Sequence, residues 1–383
     1  MNFIPYGRQN ISADDVGAVV EVLQSDFLTQ GPTVAAFEGA VKDYCGVMSA
    51  FAVANATCAL HLAYLALDVG SGDIVWTSPN TFLSTANAAV MCGASVDFVD
   101  ICPETYNMSV DKLADKLAIA KEHGKLPKVV APVHFAGQSC DMKKIHELSK
   151  EYGFAIVEDA AHAIGGRYLD NPIGSCEYSD ITIFSFHPVK IITTAEGGML
   201  TTNSDKLANK IALLRTHGMT RDESLMTKES EGPWYYEMTE LGYNYRITDL
   251  QCALGLSQMQ RLDSLVAKRH EVLTKYVTLL SNDSRVTLPY QSSDSYSGLH
   301  LCPIQVATKD RKRIFEHLRE SGIGANVHYM PVHLQPYYAN MGFKKGYCPN
   351  AEKYYSSAIS IPMYPDLTDG QIQYVVDRIK EVL

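Results

Sequence analysis

A lysine set among apolar residues is the first position in this sequence with chemical promise. Lys190 follows Phe184-Ser185-Phe186-His187-Pro188-Val189 and precedes Ile191, Ile192 and the pair Gly197-Gly198. Most lysines sit in water, where the ammonium is stable and inert. A desolvated ammonium gives up its proton more readily, which suits Schiff-base formation and proton transfer. Asp159 is the second candidate: it ends the run Ala155-Ile156-Val157-Glu158 and is followed three residues later by His162. A carboxylate placed there can cap the next helix or sit against a cationic ring. The third is Asn55-Ala56-Thr57-Cys58, small residues that lead into an apolar stretch. A helix opening in that way offers free amides and a positive dipole end to a phosphate.

These three chemistries are the ones that pyridoxal 5'-phosphate (PLP) needs: an amine, a carboxylate for its pyridine nitrogen, and an anion cradle. The sequence holds neither G-x-x-x-x-G-K-[ST] nor G-x-G-x-x-G, which disfavours a nucleoside triphosphatase and a dinucleotide enzyme. His328 and His333 look like metal ligands in spacing alone, without a carboxylate or third ligand beside them. H-E-x-x-H is also missing, so no metal site is expected.

The elements that must position these residues alternate along the chain. Ser12-Ala13-Asp14-Asp15 caps a helix running to about Leu23. Strand-like runs fall at 51–54, 74–78, 96–99, 128–133 and 155–159, with helical stretches at 58–67, 82–91 and 142–152. That order predicts an α/β protein whose central sheet is mostly parallel and covered on both faces. Such sheets bind ligands at the carboxyl ends of their strands, where Asn55–Thr57, Asp159 and the segment after Ile181–Phe184 all fall. Strands at 181–186 and 198–202 bracket Lys190. A long amphipathic helix begins near Leu254, with Leu256, Met259, Leu262 and Leu265 at helical spacing, and 291–298 reads as a loop.

A chain of 383 residues exceeds the roughly 250–300 that one core supports. The expected division is residues 1–255, a large PLP-binding α/β domain with the N-terminal segment, and 256–383, a small C-terminal α+β domain. A net charge of −10 speaks against nucleic acid as a partner. No apolar run is long enough to span a membrane, and the opening residues lack the pattern of a secretory signal. Nine cysteines, an odd number without a C-x-x-C pair, predict free thiols and a cytoplasmic location.

The ordered motifs resemble the DegT/DnrJ-type nucleotide-sugar aminotransferases. The matching pieces are F-L-T-Q-G-P (27–32), N-A-T-C-A-L-H (55–61), S-P-N-T-F-L-S-T-A-N-A (78–88) and E-D-A-A-H-A-I-G (158–165). F-S-F-H-P-V-K-I-I-T-T-A-E-G-G (184–198), L-G-Y-N-Y-R-I-T-D-L-Q-C-A-L-G (241–255) and V-H-Y-M-P-V-H (327–333) complete the set. The resemblance implies an aspartate-aminotransferase-like fold (PLP fold type I) and a homodimer with shared active sites. It also implies PLP cycling through pyridoxamine 5'-phosphate, with L-glutamate as donor and a nucleotide-linked keto sugar as acceptor.

On the same ground, Lys190 and Asp159 are the catalytic pair, Phe82 lies on a face of the cofactor ring, and His162 lies near its phenolic edge. Thr57, the Cys58 backbone and Ser185 hold the phosphate, joined by Asn244 from the other subunit. Tyr6, Thr29 and His333 are candidates for the sugar side. Family members that dehydrate sugars carry histidine in the lysine slot, so Lys190 implies amine transfer. The stretches I-P-Y-G-R-Q-N-I-S, L-Q-S-D-F-L-T-Q-G-P and F-S-F-H-P-V-K-I-I-T-T are most similar to the pseudaminic-acid branch. That branch implies amination at C4 of UDP-2-acetamido-2,6-dideoxy-β-L-arabino-hexos-4-ulose; siblings use other UDP-, GDP- or dTDP-keto sugars. A PLP-binding regulator without activity would share these motifs.

The sequence departs from the family pattern at one place. T-T-G-E-G-G is usual there, whereas Ala195 stands at the first glycine. If that position needs positive φ, alanine costs about 1 kcal/mol or more, which leaves the role of the adjacent Glu196 open.

Overall fold

The computed structural model describes residues 3–383, so the first two positions of the opening segment lie outside it. A short strand β1 (Ile4–Pro5) comes first, followed by helix α1 (Ala13–Leu23). The sequence signal for α1 holds at atomic level. Asp15 N donates to Ser12 Oγ at 3.2 Å and Ser12 N to Asp15 Oδ2 at 2.8 Å, which satisfies two orphan amides of the first turn.

The large sheet is built from β2 (Ser49–Val53), β3 (Ile74–Thr77), β4 (Ser95–Phe98), β5 (Val129–Ala131), β6 (Ala155–Asp159), β7 (Ile181–Ser185) and β8 (Gly198–Thr202). Its seven strands run in the order β2-β8-β7-β6-β5-β3-β4. The strands β7, β6, β5, β3 and β4 are parallel, while β8 is antiparallel to both β7 and β2. Every residue of β7 and β8 is buried, as expected for strands covered on both faces. The antiparallel strand is the departure from a uniform sheet. Strands β7 and β8 are joined by residues 186–197, which carry Lys190 and form no crossover helix, so the chain returns antiparallel.

Helices α2 (Pro32–Cys45), α3 (Ala56–Ala66), α4 (Ser84–Met91), α5 (Val110–Glu122), α6 (Met142–Tyr152) and α7 (Asp205–Arg215) cover this sheet. Of these, α2, α5 and α7 went unmarked by the alternation read from the sequence. The helix expected from about 254 is two helices, α8 (Asp249–Met259) and α9 (Leu262–Leu280). The first opens at a Thr248–Gln251 capping box. The break falls at Arg261, whose guanidinium is drawn to Asn10 Oδ1 and Asp15 Oδ2, each at 2.6 Å.

The C-terminal part pairs β9 (Cys302–Gln305) with a later antiparallel strand, Ala358–Ile361. Helices Thr308–Glu320 and Asp369–Lys380 pack around them. Its second small sheet is parallel and unites β1 with Ile323–Gly324. The first residues of the chain therefore belong structurally beside the last sixty. Among the described residues no helix is long and apolar enough to cross a membrane, and all nine cysteines are free.

Candidate active site

The ends of β6 and β7, the start of α3 and a C-terminal loop enclose a cavity of about 830 Å³. Lys190, Asp159, Thr57, Cys58, Phe82, His162, Ser185 and Tyr6 all line it. Eight positions chosen from separate stretches of sequence thus converge on one space.

Asp159 owes its place to the sheet. Its N–H donates to Pro132 O and its carbonyl accepts from His134 N–H, at 2.9 and 3.0 Å, so the backbone is locked on the β5 side. The carboxylate accepts from Thr85 Oγ1 at 2.6 Å and from Ala161 N at 3.1 Å.

Lys190 sits in the turn between β7 and β8. Desolvation pulls its ammonium down to about 8 from an ordinary 10.5, against the opposing attraction of Asp159. An amine so placed is about half free base near pH 8, where an ordinary lysine is almost wholly protonated. Ala195 in the same turn has φ of 66°, the left-handed conformation in which glycine is at ease. Its N–H is held by Thr193 Oγ1 at 3.0 Å, and Thr194 Oγ1 donates to Glu196 O at 2.7 Å. The alanine is therefore accommodated by its threonine neighbours, and Glu196 remains on the cavity wall.

The start of α3 is brought close to Ser185 by a missing side chain. Gly198 pairs with Ser185 across the ladder, and a Cβ on Gly198 would stand 2.6 Å from Asn55 C and 2.8 Å from Ala56 N. Asn55 caps the helix by accepting the Cys58 N–H at 3.0 Å. The Cys58 amide, expected from the resemblance to meet a phosphate, is thus already bonded. The earlier first-turn amides, which a helix leaves without internal partners, are those of Ala56 and Thr57. Burial raises the Cys58 thiol, which Asn55 only partly offsets.

Phe82 is 58% exposed although it is a large aromatic, and its ring faces the cavity beside Tyr329 at 6.4 Å. A free aromatic face, a carboxylate, an enclosed amine and a helix N-terminus form a donor set that fits PLP. Adventitious convergence of all four in one cavity has no structural benefit that offsets exposing Phe82.

Three expected residues stand elsewhere. His333 is corrected from sugar contact to core residue: it is fully buried and its Nε2 meets Glu352 Oε1 at 2.9 Å. The short turn Val332–Leu334 folds it inward against Phe98. Its motif partner His328 takes the cavity position instead. Thr29 and Asn244 are exposed, off the cavity, and bridge to Thr248 and Thr216 respectively.

Residues not picked out from the sequence complete the wall: His300, Asn326 and Tyr329, besides His328. Burial keeps His162 and His300 well below the ordinary histidine value, with Lys190 adding to the effect, and takes His328 to about 3. The cavity therefore presents neutral imidazoles around one amine. The paired aromatic-histidine segment 327–333 held the only local hint of this wall.

The family model for the DegT/DnrJ/EryC1/StrS aminotransferases matches residues 9–380. A Campylobacter jejuni protein named UDP-4-amino-4,6-dideoxy-N-acetyl-beta-L-altrosamine transaminase is 36% identical, over 99% of this chain and 97% of its own. The structure of Helicobacter pylori PseC, an aminotransferase involved in pseudaminic acid biosynthesis, superposes with a TM-score of 0.91 at 29% identity, covering 100% of this chain and 99% of that one. The PLP-form of the putative sugar aminotransferase Spr1654 from Streptococcus pneumoniae gives 0.88 at 28% identity, with both chains fully covered. The α/β architecture is accordingly the PLP fold type I anticipated from the motifs. By sequence, fold and cavity alike, this chain belongs to the DegT/DnrJ/EryC1/StrS aminotransferase family, as a PLP-dependent sugar aminotransferase.

Proposed function

We propose that the chain transfers the amino group of L-glutamate to C4 of a UDP-linked 4-keto-6-deoxy sugar. The substrate is UDP-2-acetamido-2,6-dideoxy-β-L-arabino-hexos-4-ulose, and the product is UDP-4-amino-4,6-dideoxy-N-acetyl-β-L-altrosamine, a step of pseudaminic acid biosynthesis. The observation that carries the reading is the juxtaposition of Lys190 and Asp159 in a cavity of about 830 Å³, large enough for a cofactor and a sugar. The name of the Campylobacter relative supports the choice of sugar.

Bound PLP supplies an electron sink for cleavage of a C–H bond beside nitrogen. Lys190 Nζ would take the proton from the donor's α-carbon in one half of the exchange and give a proton to C4 of the sugar in the other, which its lowered basicity permits near pH 8. Asp159, held by Thr85 and Ala161, would stabilise positive charge at the pyridine nitrogen. Thr57, Ser185 and the first amides of α3 would hold the phosphate, and Phe82 would cover one ring face. His162 and Tyr6 shape the remaining wall.

The working unit in this reading is a homodimer. Asn244 and Thr29 are both exposed, and so are the apolar residues beside them in sequence, Phe27 (53% exposed), Leu28 (47%) and Leu241 (73%). Apolar surface of this extent favours burial against a partner. A second copy would bring Asn244 to the first copy's phosphate and Thr29 to its sugar. Each chain divides into a large part, 1–255, and a small part, 256–383. Support for two parts comes from one core cluster that draws on Ile4 and residues 272–379, although Leu262, Leu265 and Val266 pack in the cluster of the large part.

The test mixes purified holoenzyme with L-glutamate and follows the visible spectrum, then supplies a panel of UDP-, GDP- and dTDP-4-keto sugars. Conversion of the yellow form by glutamate, and return of the yellow form with the UDP-linked L-arabino sugar, is the expected result. No conversion by glutamate would sink the donor assignment, and faster return with another nucleotide sugar would replace the acceptor.

A further inference from the structure

Two turns from distant parts of the chain meet at His162. Ala136 takes a left-handed φ of 58° inside the turn Phe135–Gly137, a conformation that residues with a Cβ seldom adopt without a structural reason. The consequence is that Ala136 N–H points at His162 Nδ1, 3.3 Å away. The turn has no room to relax. A Cβ on Gly137 would stand 2.6 Å from Leu299 N and 2.9 Å from His162 O, and Gly298 N donates to Gly137 O at 3.0 Å. On the other side of the imidazole, Tyr329 Oη lies 3.2 Å from His162 Nε2.

These contacts determine where the protons are. A backbone N–H donates and never accepts, so His162 Nδ1 must be a bare acceptor. Burial and the nearby Lys190 keep the imidazole neutral, which leaves its one proton on Nε2. Tyr329 Oη therefore accepts from His162. The phenol's own proton has no acceptor among the described residues, and burial raises the phenol's affinity for it. Tyr329 lines the cavity.

Among the charged groups on the wall, Lys190 adds to the effect of burial at His162, and the carboxylates of Asp159 and Glu196 do not reverse it. Lys190, His300 and His328 face the same space, and Arg269 stands behind His300, its guanidinium donating to Leu299 O at 3.2 Å and Met363 O at 3.0 Å. His300 lies 4.5 Å from His162 between ring centres, and its buried Nδ1 has no partner. Burial, with the Lys190 ammonium adding to it, disfavours an imidazolium at His162.

We propose that Tyr329 is a hydrogen-bond donor of fixed polarity to an electron-rich oxygen in the cavity, with Ala136 and His162 as the residues that set its direction. The inference rests on the PLP-enzyme reading for the identity of that oxygen. Its two sources are the phenolic oxygen of the bound cofactor and an oxygen of the sugar substrate.

Tyr329→Phe separates them, since the ring that packs on Phe135 and Phe82 is retained and a melting curve checks the fold. If the cofactor oxygen is the acceptor, losing the donor makes its ionised form less favourable. The pH midpoint of the bound cofactor's visible absorption then rises by about one unit, with sugar affinity unchanged. If the sugar is the acceptor, nucleotide-sugar binding measured by calorimetry weakens by about tenfold while the midpoint stays. Either shift supports the proposal; a variant that matches wild type in both overturns it. Nitrogen-15 spectra of histidine-labelled protein, with and without PLP, give an independent reading. His162, assigned from the signal lost in His162→Gln, is expected as the Nε2-protonated tautomer, and an Nδ1-protonated ring or an imidazolium overturns the proposal. Failure of the wild-type protein to bind PLP would sink the functional reading, and the tautomer would still decide this one.

Discussion

Thr85 Oγ1 lies 2.6 Å from Asp159 Oδ2, and Thr81 Oγ1 lies 2.9 Å from Thr85 Oγ1. Thr85 has one hydroxyl proton and gives it to the carboxylate, so Thr81 must donate to Thr85. Both protons run toward Asp159, and α4 thereby orients a group on β6. Thr85→Val keeps the volume and removes the donor. Hydrogen bonds to charged groups contribute about 1.5–3 kcal/mol, so kcat with glutamate is expected to fall roughly 10- to 100-fold. Asp159→Asn is expected to bind PLP and lose more. Wild-type turnover in the threonine variant would remove Thr85 from the positioning of the carboxylate.

Lys190 leads to a prediction about stability as well as turnover. Lys190→Ala abolishes turnover, with a loss of at least about 100-fold. In the protein freed of PLP, the folded-state value near 8 lies below the ordinary 10.5. Below pH 8 both folded and unfolded chains carry the charge, and burial costs its full amount. Between 8 and 10.5 the unfolded chain binds the extra proton, so stability rises with pH relative to a variant lacking the group. Lys190→Met is expected to be more stable than wild type at pH 7, with the gap closing by about pH 10.5. Denaturant titrations at three pH values check this; a gap that does not change with pH would contradict it.

Ala195 offers a gain. At φ of 66° an alanine costs about 1 kcal/mol relative to glycine. Ala195→Gly is expected to raise the melting temperature by about 2 °C, read by calorimetry. A lower melting temperature would mean that the bonds from Thr193 and Thr194 already absorb the strain and that chain entropy dominates.

The proposed dimer can be tested by complementation. Lys190→Ala and Asn244→Ala chains, each impaired alone, are refolded together. If Asn244 serves the neighbouring site, mixed dimers carry one intact site, and about a quarter of wild-type activity returns in a statistical mixture. Absence of recovery, with Asn244→Ala itself impaired, would place Asn244 in its own chain's site.

Much of this site could be read before the structure, and the reasons differ by residue. Asp159 and Lys190 follow apolar strands, and strand ends are where an α/β sheet exposes polar groups to a ligand. The cap at Ser12 and the opening of α3 after Asn55 are local signals, and both elements begin within a residue or two of expectation. His300 and Tyr329 were not legible, because they reach the cavity only when the C-terminal part folds over the sheet. His333 misled for a related reason. It shares a motif with His328, but the turn at Val332–Leu334 sends the two rings to different places. The helix break at Arg261 likewise depends on Asn10 and Asp15, some two hundred and fifty residues upstream, and no window of local periodicity contains them.

Helix α9 has a consequence for how the molecule comes apart. Its first turns put Leu262, Leu265 and Val266 into the cluster around Phe37 and Phe186, while Val272, Leu273, Tyr276 and Leu280 belong to the C-terminal cluster. Neither cluster can lose its share of the helix without fraying the other. Heating should therefore dissolve both in one cooperative step, and a protease that finds the C-terminal part open will find the cofactor-binding part open too.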